Sequence, residues 1–516
     1  MRPNLKKSVI LASIILILLS SLPYLIAQYL GKDTHYFSGF LINPLDGNSY
    51  LAKMRQGFEG YWSFTLPYTP NPGERSYINL YYLFLGHVAR IFGQPLIFTF
   101  HFARLVMIPF LVLAVKGFYE RSIQNDRAQV FALWLALFGS GLGWIILPFI
   151  PVESITSDFW VTEGFPFLTI FSSPHFTLGM ALQIWLITPL EPNDSFRKTI
   201  VFRFAGALLL AIVSPFFIPA VAIVLAGMAI VEWADAQKPT AGISHLLAIG
   251  LGAGPVLLYD LWLVNSHPVL SGWNAQNLTQ SPPLWDLAIS YSPPLLAAIF
   301  AVWFVAKNRR HTEIRLVVWV LAAFIMLNFP FPLQRRFISG LYIPIAGLAG
   351  VALWQAIGRE ARYGRIAAFL IFILAIPTNL VIFSTTIFGI QTKDPQVYLT
   401  TGEWNALGWI RGNIPDGKLF LTAPDTGLFL PAHTTGQVIY GHPFETVEAE
   451  VHKCEVIAFY SDWGDDERAG YLIENEIDYL YIGPRENLLG MGAWDDFGQV
   501  MYEAGGVTII QIGDLE

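Results

Sequence analysis

The feature that most constrains this chain is a series of apolar stretches of helix-spanning length. They lie at roughly 8–28, 96–116, 128–149, 173–190, 200–214, 216–232, 243–263, 289–306, 315–330, 336–356 and 365–386. A run of about 20 apolar residues crosses about 30 Å of hydrocarbon as a helix, and only a helix or a closed barrel satisfies its backbone there. With 54% hydrophobic and 13% charged residues, the chain reads as a polytopic α-helical membrane protein of about 11 spans. The first run follows Lys6 and Lys7 and lacks a small-x-small cleavage site, so it is expected to stay as a span rather than leave as a signal peptide.

Basic residues orient the spans. With the N-terminus in the cytoplasm, inside loops hold Lys116/Arg121/Arg127, Arg197/Lys198, Lys238, Lys307/Arg309/Arg310/Arg315 and Arg359/Arg362/Arg365, while outside loops 150–172 and 264–288 hold no Lys or Arg. This is the positive-inside pattern. Counting YINLYYLFLGHVARIFG, 77–93, as a span would reverse every later loop; its aromatics suit an interfacial helix on the outer side. No Lys/Arg tract or zinc-finger spacing accompanies the net charge of −7, which excludes a nucleic-acid partner, and the single Cys454 excludes an intrachain disulfide. Membrane lipids are the implied surroundings.

The tail changes character. From residue 392 it holds 21 Asp/Glu against 6 Lys/Arg, leaving the preceding 391 residues at +8. Strands KLFLTA, GQVIYG, DYLYIG and VTIIQI alternate with helices near Glu403–Asn413, Glu445–Tyr460 and Asp466–Glu476, which predicts a small α/β domain. The expected organisation is a membrane domain, 1–391, whose outer loop with interfacial helix occupies 29–95, and an extracytoplasmic α/β domain, 392–516.

Polar groups gather on the outer side. In NPLDGNSYLAKMRQG, Pro44 and Asp46 suit a helix start, with Tyr50 one turn on along the same face. Asp46 reads either as the helix cap or as a base near the membrane surface, able to take a proton from an alcohol or amine. Glu153, Asp158 and Glu163 in the next outer loop either keep it wet or bring a second acid toward Asp46. His175 reads as structural or substrate-binding. Arg335 and Arg336 break the inside bias between two spans; they suit anionic headgroups, acidic loops or a lipid-linked phosphate, for which guanidinium supplies bidentate bonds. Lys53, Arg55 and Arg90 are possible helpers or headgroup contacts. The loop 263–286 is expected to be a mobile cover or a stiff connector, and GLGAG at 250–254 a site of close helix packing.

PLDGNSYLAKM, with its Asp46 and Tyr50, resembles the first outer-loop acidic motif of the GT-C superfamily of integral membrane glycosyltransferases, which includes protein mannosyltransferases and the aminoarabinose transferase. Gly47 stands where those enzymes frequently carry Glu. The resemblance implies a GT-C-like fold and transfer of a sugar from a polyprenyl-phosphate donor to a lipid, glycan or protein acceptor. Asp46, Asp158 and Glu163 are the catalytic candidates, and Tyr50, Lys53, Arg55, His87, His175, Arg335 and Arg336 the substrate-binding ones. No cofactor is required; a divalent cation, Mg or Mn, held by Asp46 and Asp158 is the one expected option. The alternatives are a transporter or flippase of an anionic or lipid-linked substrate, a ligase or polymerase moving a glycan from a lipid diphosphate, and a surface receptor that works through its acidic tail.

Overall fold

The computed structural model describes residues 5–31, 34–151, 154–189, 195–234, 240–308, 310, 312–356, 361–492 and 494–513. Glu153, Lys238, Arg309 and Arg359 lie outside the described residues. Every one of the eleven apolar runs is helical, but not every helix is long enough to cross. Six are: Leu5–Leu30, Leu96–Ser122, Phe217–Ala234, Gly242–Ser266, Gln334–Trp354 and Arg362–Thr392. Two bent pairs, Asp126–Phe138 with Gly143–Phe149 (44°) and Leu284–Tyr291 with Pro294–Lys307 (93°), raise the number to eight. The other runs are the helices Pro174–Ile187, Phe196–Val213 and Ile314–Leu327, of 14, 18 and 14 residues. Fourteen residues at 1.5 Å each reach only about 21 Å. The protein is thus a multi-pass membrane protein, with six to eight helices of crossing length among the described residues.

Two compact units divide the chain. The first comprises Met1–Leu22, His101–Tyr259 and Thr279–Thr386. It is helical, and its glycines permit close approach: a Cβ on Gly252, within the GLGAG stretch, would fall 2.3 Å from the Phe204 carbonyl oxygen. That is the packing role expected of this motif.

The second unit comprises Pro23–Phe100, Asp260–Leu278 and Ile387–Glu516, so the first loop and the tail fold together. Strand β1 (His35–Phe37) pairs antiparallel with β2 (Tyr398–Thr400). The tail builds a five-stranded sheet from β3 (Leu419–Leu421), β4 (Gln437–Val438), β5 (Tyr479–Ile482), β6 (Gly498–Ala504) and β7 (Val507–Ile512), in the order β4-β3-β5-β7-β6. β3 runs parallel to β4 and β5, whereas β7 is antiparallel to β5 and β6. Both faces are apolar. Ala406, Leu407 and Ile410 of the helix Thr401–Asn413 pack with Phe420 and Ile509 on one side, and Val456, Phe459 and Tyr460 pack with Leu421 and Leu480 on the other. Thr400 and Glu403 form a capping box at the start of the first of these helices.

The first-loop helix Pro44–Glu59 packs on the aromatic helix Leu80–Phe92, which at 13 residues is shorter than a span. Gly57 and Gly86 set the spacing, since a Cβ on either would meet a backbone carbonyl oxygen at 2.1 Å. The 263–286 segment contains the helix Pro268–Gln276 and is fastened: His267 Nε2 lies 2.9 Å from the Glu74 carbonyl, and Asn277 Nδ2 donates to the Phe444 carbonyl at 2.9 Å. These bonds favour the connector reading over a mobile cover.

Glu486 fastens the strand ends of the sheet. Fully buried, it accepts from Ala423 N at 2.8 Å and Gly483 N at 2.9 Å, beyond β3 and β5. Burial pushes its carboxyl up to about 7, outweighing the hydrogen bonds from the backbone. A raised carboxyl pKa stabilises the fold below its unfolded value, and that contribution is lost as pH rises through 7. Thermal unfolding should therefore occur at a lower temperature at pH 8 than at pH 5.5, and Glu486→Gln should flatten this dependence.

Candidate functional site

Asp46 lies in the first turn of the first-loop helix, but it is not the cap. Asn43 is: its backbone is left-handed (φ 48°, ψ 63°), and its side-chain oxygen accepts from Asp46 N. Asn43 Nδ2 in turn donates to Asp46 Oδ2 at 2.5 Å. With the cap supplied elsewhere, the Asp46 carboxylate stands 40% exposed, beside the partial positive charge of a helix N-terminus. Its other oxygen is 3.6 Å from Nε2 of the buried His442. His442 Nδ1 accepts from Phe444 N (3.0 Å) and Glu445 N (3.2 Å). We therefore assign the proton of the neutral ring to Nε2, facing Asp46.

Tyr50 falls one turn along from Asp46, as expected, and stacks on Tyr82 (centroids 4.4 Å apart, 9° between planes); Tyr82 in turn stacks on Phe100 at 6.2 Å. Burial, then Tyr50, Tyr81 and Asp46, raise the Tyr82 phenol well above its usual range, so it stays neutral beside the carboxylate. Gly47 has a steric reason: a Cβ there would sit 2.3 Å from the Phe40 ring. A glutamate does not fit at 47 in this chain.

Three other first-loop candidates are committed within the unit. Lys53 is buried and pairs with Glu445 Oε1 at 2.6 Å, while also donating to Ser49 Oγ. Burial opposes the Glu445 charge, yet the paired Lys53 holds its carboxyl below the usual range. The ammonium is therefore spoken for by protein, contrary to the expectation of a substrate or headgroup contact. Arg55 lies 3.9 Å from Glu59 and packs over Phe58. His87 stacks on Trp62 at 4.0 Å, with Nε2 3.2 Å from the Tyr61 carbonyl, a structural arrangement. His442 and Glu445 were missed in the sequence because GHPFE carries no motif and lies almost 400 residues from Asp46.

The first unit holds the remaining candidates. Arg336 pairs with Glu163 at 2.9 Å, with Glu163 almost fully buried, and its guanidinium lies over the Phe216 ring at 5.1 Å. Arg335 lies over the Trp160 ring at 4.5 Å, a cation–π arrangement. His175 is buried with its ring 4.0 Å from that of Phe176. Asp158 is fully buried and accepts from Gly143 N (3.0 Å), Thr378 Oγ1 (2.9 Å) and Ser290 Oγ (3.3 Å). Burial raises its carboxyl despite these bonds. Ser290 Oγ also lies 2.6 Å from Asp286. Asp158 is thus a buried anchor for its loop, which removes it from direct contact with a substrate.

A divalent cation needs several hard oxygen ligands. Among the described residues no three His, Cys, Asp or Glu side chains converge, and the Asp158 oxygens already serve three protein donors. Asp158 does not fit as a metal ligand, and no step below runs through one.

No family model and no curated protein matches the sequence. Solved structures do. An oligosaccharyltransferase of Archaeoglobus fulgidus, tethered with an acceptor peptide, superposes with a TM-score of 0.54 at 13% identity, over 92% of this chain and 68% of that one. ArnT from Cupriavidus metallidurans gives 0.53 at 12% identity over 96% of this chain and 97% of that one. The chain has the GT-C fold. The arabinofuranosyltransferase AftD from Mycobacteria also matches, at 0.50 and 15% identity, over 99% of this chain but 42% of its own. At these identities the likeness concerns the fold, and it agrees with the expected class: a polytopic helical protein, GT-C-like, with a C-terminal α/β region. Within the GT-C fold, the acidic first-loop helix and the C-terminal sheet of this chain belong to one compact unit.

Proposed function

We propose that the protein is a glycosyltransferase that moves a sugar from a polyprenyl-phosphate donor to a hydroxyl or amine acceptor at the non-cytoplasmic membrane face. The observation that carries this reading is the Asp46 carboxylate: half-exposed, relieved of capping by Asn43, and set between an aromatic stack and the N–H of a neutral imidazole. The GT-C fold supports it, as do two neighbours' ligands: ArnT was solved bound to undecaprenyl phosphate, and the Archaeoglobus enzyme with dolichol phosphate and an inhibitory peptide.

In this mechanism Asp46 takes the proton from the acceptor as its oxygen or nitrogen attacks the anomeric carbon. The new glycosidic bond forms as the carbon–oxygen bond to phosphate breaks, and polyprenyl phosphate leaves with the electron pair. One displacement inverts the anomeric centre. His442 is a positioning residue, its Nε2 standing 3.6 Å from the Asp46 carboxylate.

The test is incubation of purified protein with a panel of labelled polyprenyl-phosphate sugars and membrane extract. Label from one donor should move to an acceptor with inverted configuration. Donor that crosses a bilayer with its sugar–phosphate bond intact would instead establish a flippase.

A further inference from the structure

The loop that carries His442 is clamped to the helix that carries Asp46. Glu445 Oε1 accepts from Lys53 Nζ at 2.6 Å and from Ser49 Oγ at 2.9 Å, and both donors stand on the helix Pro44–Glu59. The loop is also tied to itself: Thr446 N donates to the His442 carbonyl at 3.0 Å, and the Thr446 hydroxyl oxygen accepts from His442 N at 3.3 Å and Gly441 N at 3.4 Å. The imidazole is held by the two backbone donors on Nδ1 and packs against the Tyr68 ring, 5.9 Å away between centroids. Tyr68 is itself fixed, its hydroxyl donating to the Leu428 carbonyl at 3.1 Å. His442 is 1% exposed, and its Nε2 is buried without a hydrogen bond among the described residues. What Nε2 faces is Asp46 Oδ1 at 3.6 Å, on a side chain 40% exposed. That separation exceeds a hydrogen bond, but an oxygen about 2.8 Å from each, an ordinary hydrogen-bond length, fits against both.

We propose that the attacking atom of the acceptor is a hydroxyl oxygen, gripped between His442 Nε2 and Asp46 Oδ1; this rests on the reading of Asp46 as the base of sugar transfer. An atom in that position must accept from the Nε2–H, donate to the carboxylate and still hold an electron pair for the anomeric carbon. A hydroxyl oxygen has one proton and two lone pairs, and meets all three demands. A neutral amine nitrogen has a single lone pair, which the Nε2–H would occupy. An ammonium has none, and the pair of an amide nitrogen is delocalised into its carbonyl. The imidazole cannot adapt by turning an acceptor outward, because Nδ1 already accepts from two backbone N–H groups. An acceptor that left the buried Nε2–H unpaired would bear the cost of its desolvation, which is how such a site discriminates. In the step itself the hydroxyl proton passes to Asp46, the oxygen bonds to the anomeric carbon, and polyprenyl phosphate leaves with the pair of the broken carbon–oxygen bond. His442 then acts on the acceptor as well as on Asp46.

Purified full-length protein is incubated with a polyprenyl-phosphate sugar carrying carbon-13 at the anomeric position and with membrane extract from cells grown on nitrogen-15. The wild-type product should show no one-bond carbon–nitrogen coupling at the anomeric carbon. Such a coupling overturns the hydroxyl assignment while leaving the transferase reading in place; absence of any transfer overturns both. Solvent partition and protease treatment of the product identify the lipid, glycan or protein that carries the hydroxyl. His442→Asn places an amide oxygen where Nδ1 now stands, keeping the backbone bonds, and removes the Nε2–H. It should raise the extract concentration that half-saturates transfer by about tenfold or more, with the donor KM and the unfolding temperature as in wild type. His442→Gln, whose amide nitrogen reaches the Nε2 position, should lie between the two. Half-saturation of His442→Asn at the wild-type concentration overturns the proposal.

Discussion

Asp46→Asn should lower sugar transfer by about 10²–10⁴-fold while leaving the protein folded. An amide keeps the size and one acceptor oxygen of the carboxylate, and the helix start is held by Asn43, whose side chain caps Asp46 N. What the amide cannot do is accept the acceptor's proton. The loss should therefore appear in kcat with the donor KM little changed. Asp46→Glu should recover little, because the carboxylate would move away from His442 Nε2, now 3.6 Å distant. His442→Gln, tested alongside, should give an intermediate loss with an altered pH profile, because it removes the group that orients Asp46 and leaves the base itself. An Asp46→Asn protein with wild-type turnover would remove Asp46 from the mechanism.

Arg336→Ala should destabilise the first unit by roughly 3 kcal/mol. Glu163 has only 3% of its side chain exposed and pairs with Arg336 at 2.9 Å, so removing the arginine leaves a buried carboxylate without its cation. The Thr162 hydroxyl, at 3.2 Å from Glu163, cannot replace the charge. Glu163→Gln combined with Arg336→Gln should restore most of the stability, since neither partner is then charged. Equal stability of Arg336→Ala and wild type would show that the pair holds nothing together.

Much of the fold was legible in hydropathy, because burial in lipid or core demands apolar side chains whatever the partner. All eleven apolar runs became helices, and four of the five strands of the tail's sheet were visible as apolar segments. Strand β6 was not: Gly498–Ala504 is mostly exposed and carries a register shift between Val500 and Tyr502, so neither alternation nor an apolar run marks it. The helix Pro424–His433 was hidden by Gly427 and Pro431, both poor helix formers. Composition alone does not fix the span number, because it reveals that a segment is apolar and not where it bends, as at the 93° break before Pro294–Lys307.

The site was legible only where its signal was local. Asp46 and Tyr50 lie one turn apart, and helical periodicity placed them on one face. The Lys53–Glu445 ion pair joins residues 392 positions apart, and no property of KMRQG or HPFE foretells it. The burial of Asp158 has the same character: its three donors come from Gly143, Ser290 and Thr378, so an acid that looked like a wet loop residue is an anchor. Gly47 illustrates the converse, a departure from the family pattern that the Phe40 ring explains.

The claim on which the rest depends is that the unit carrying Asp46 works on the non-cytoplasmic side. Cys454 is the chain's single cysteine, is exposed, and belongs to that unit. Intact cells expressing the protein are treated with a membrane-impermeant maleimide, with and without permeabilisation. Labelling of Cys454 in intact cells is the predicted result; labelling only after permeabilisation would place Asp46 in the cytoplasm and contradict the account.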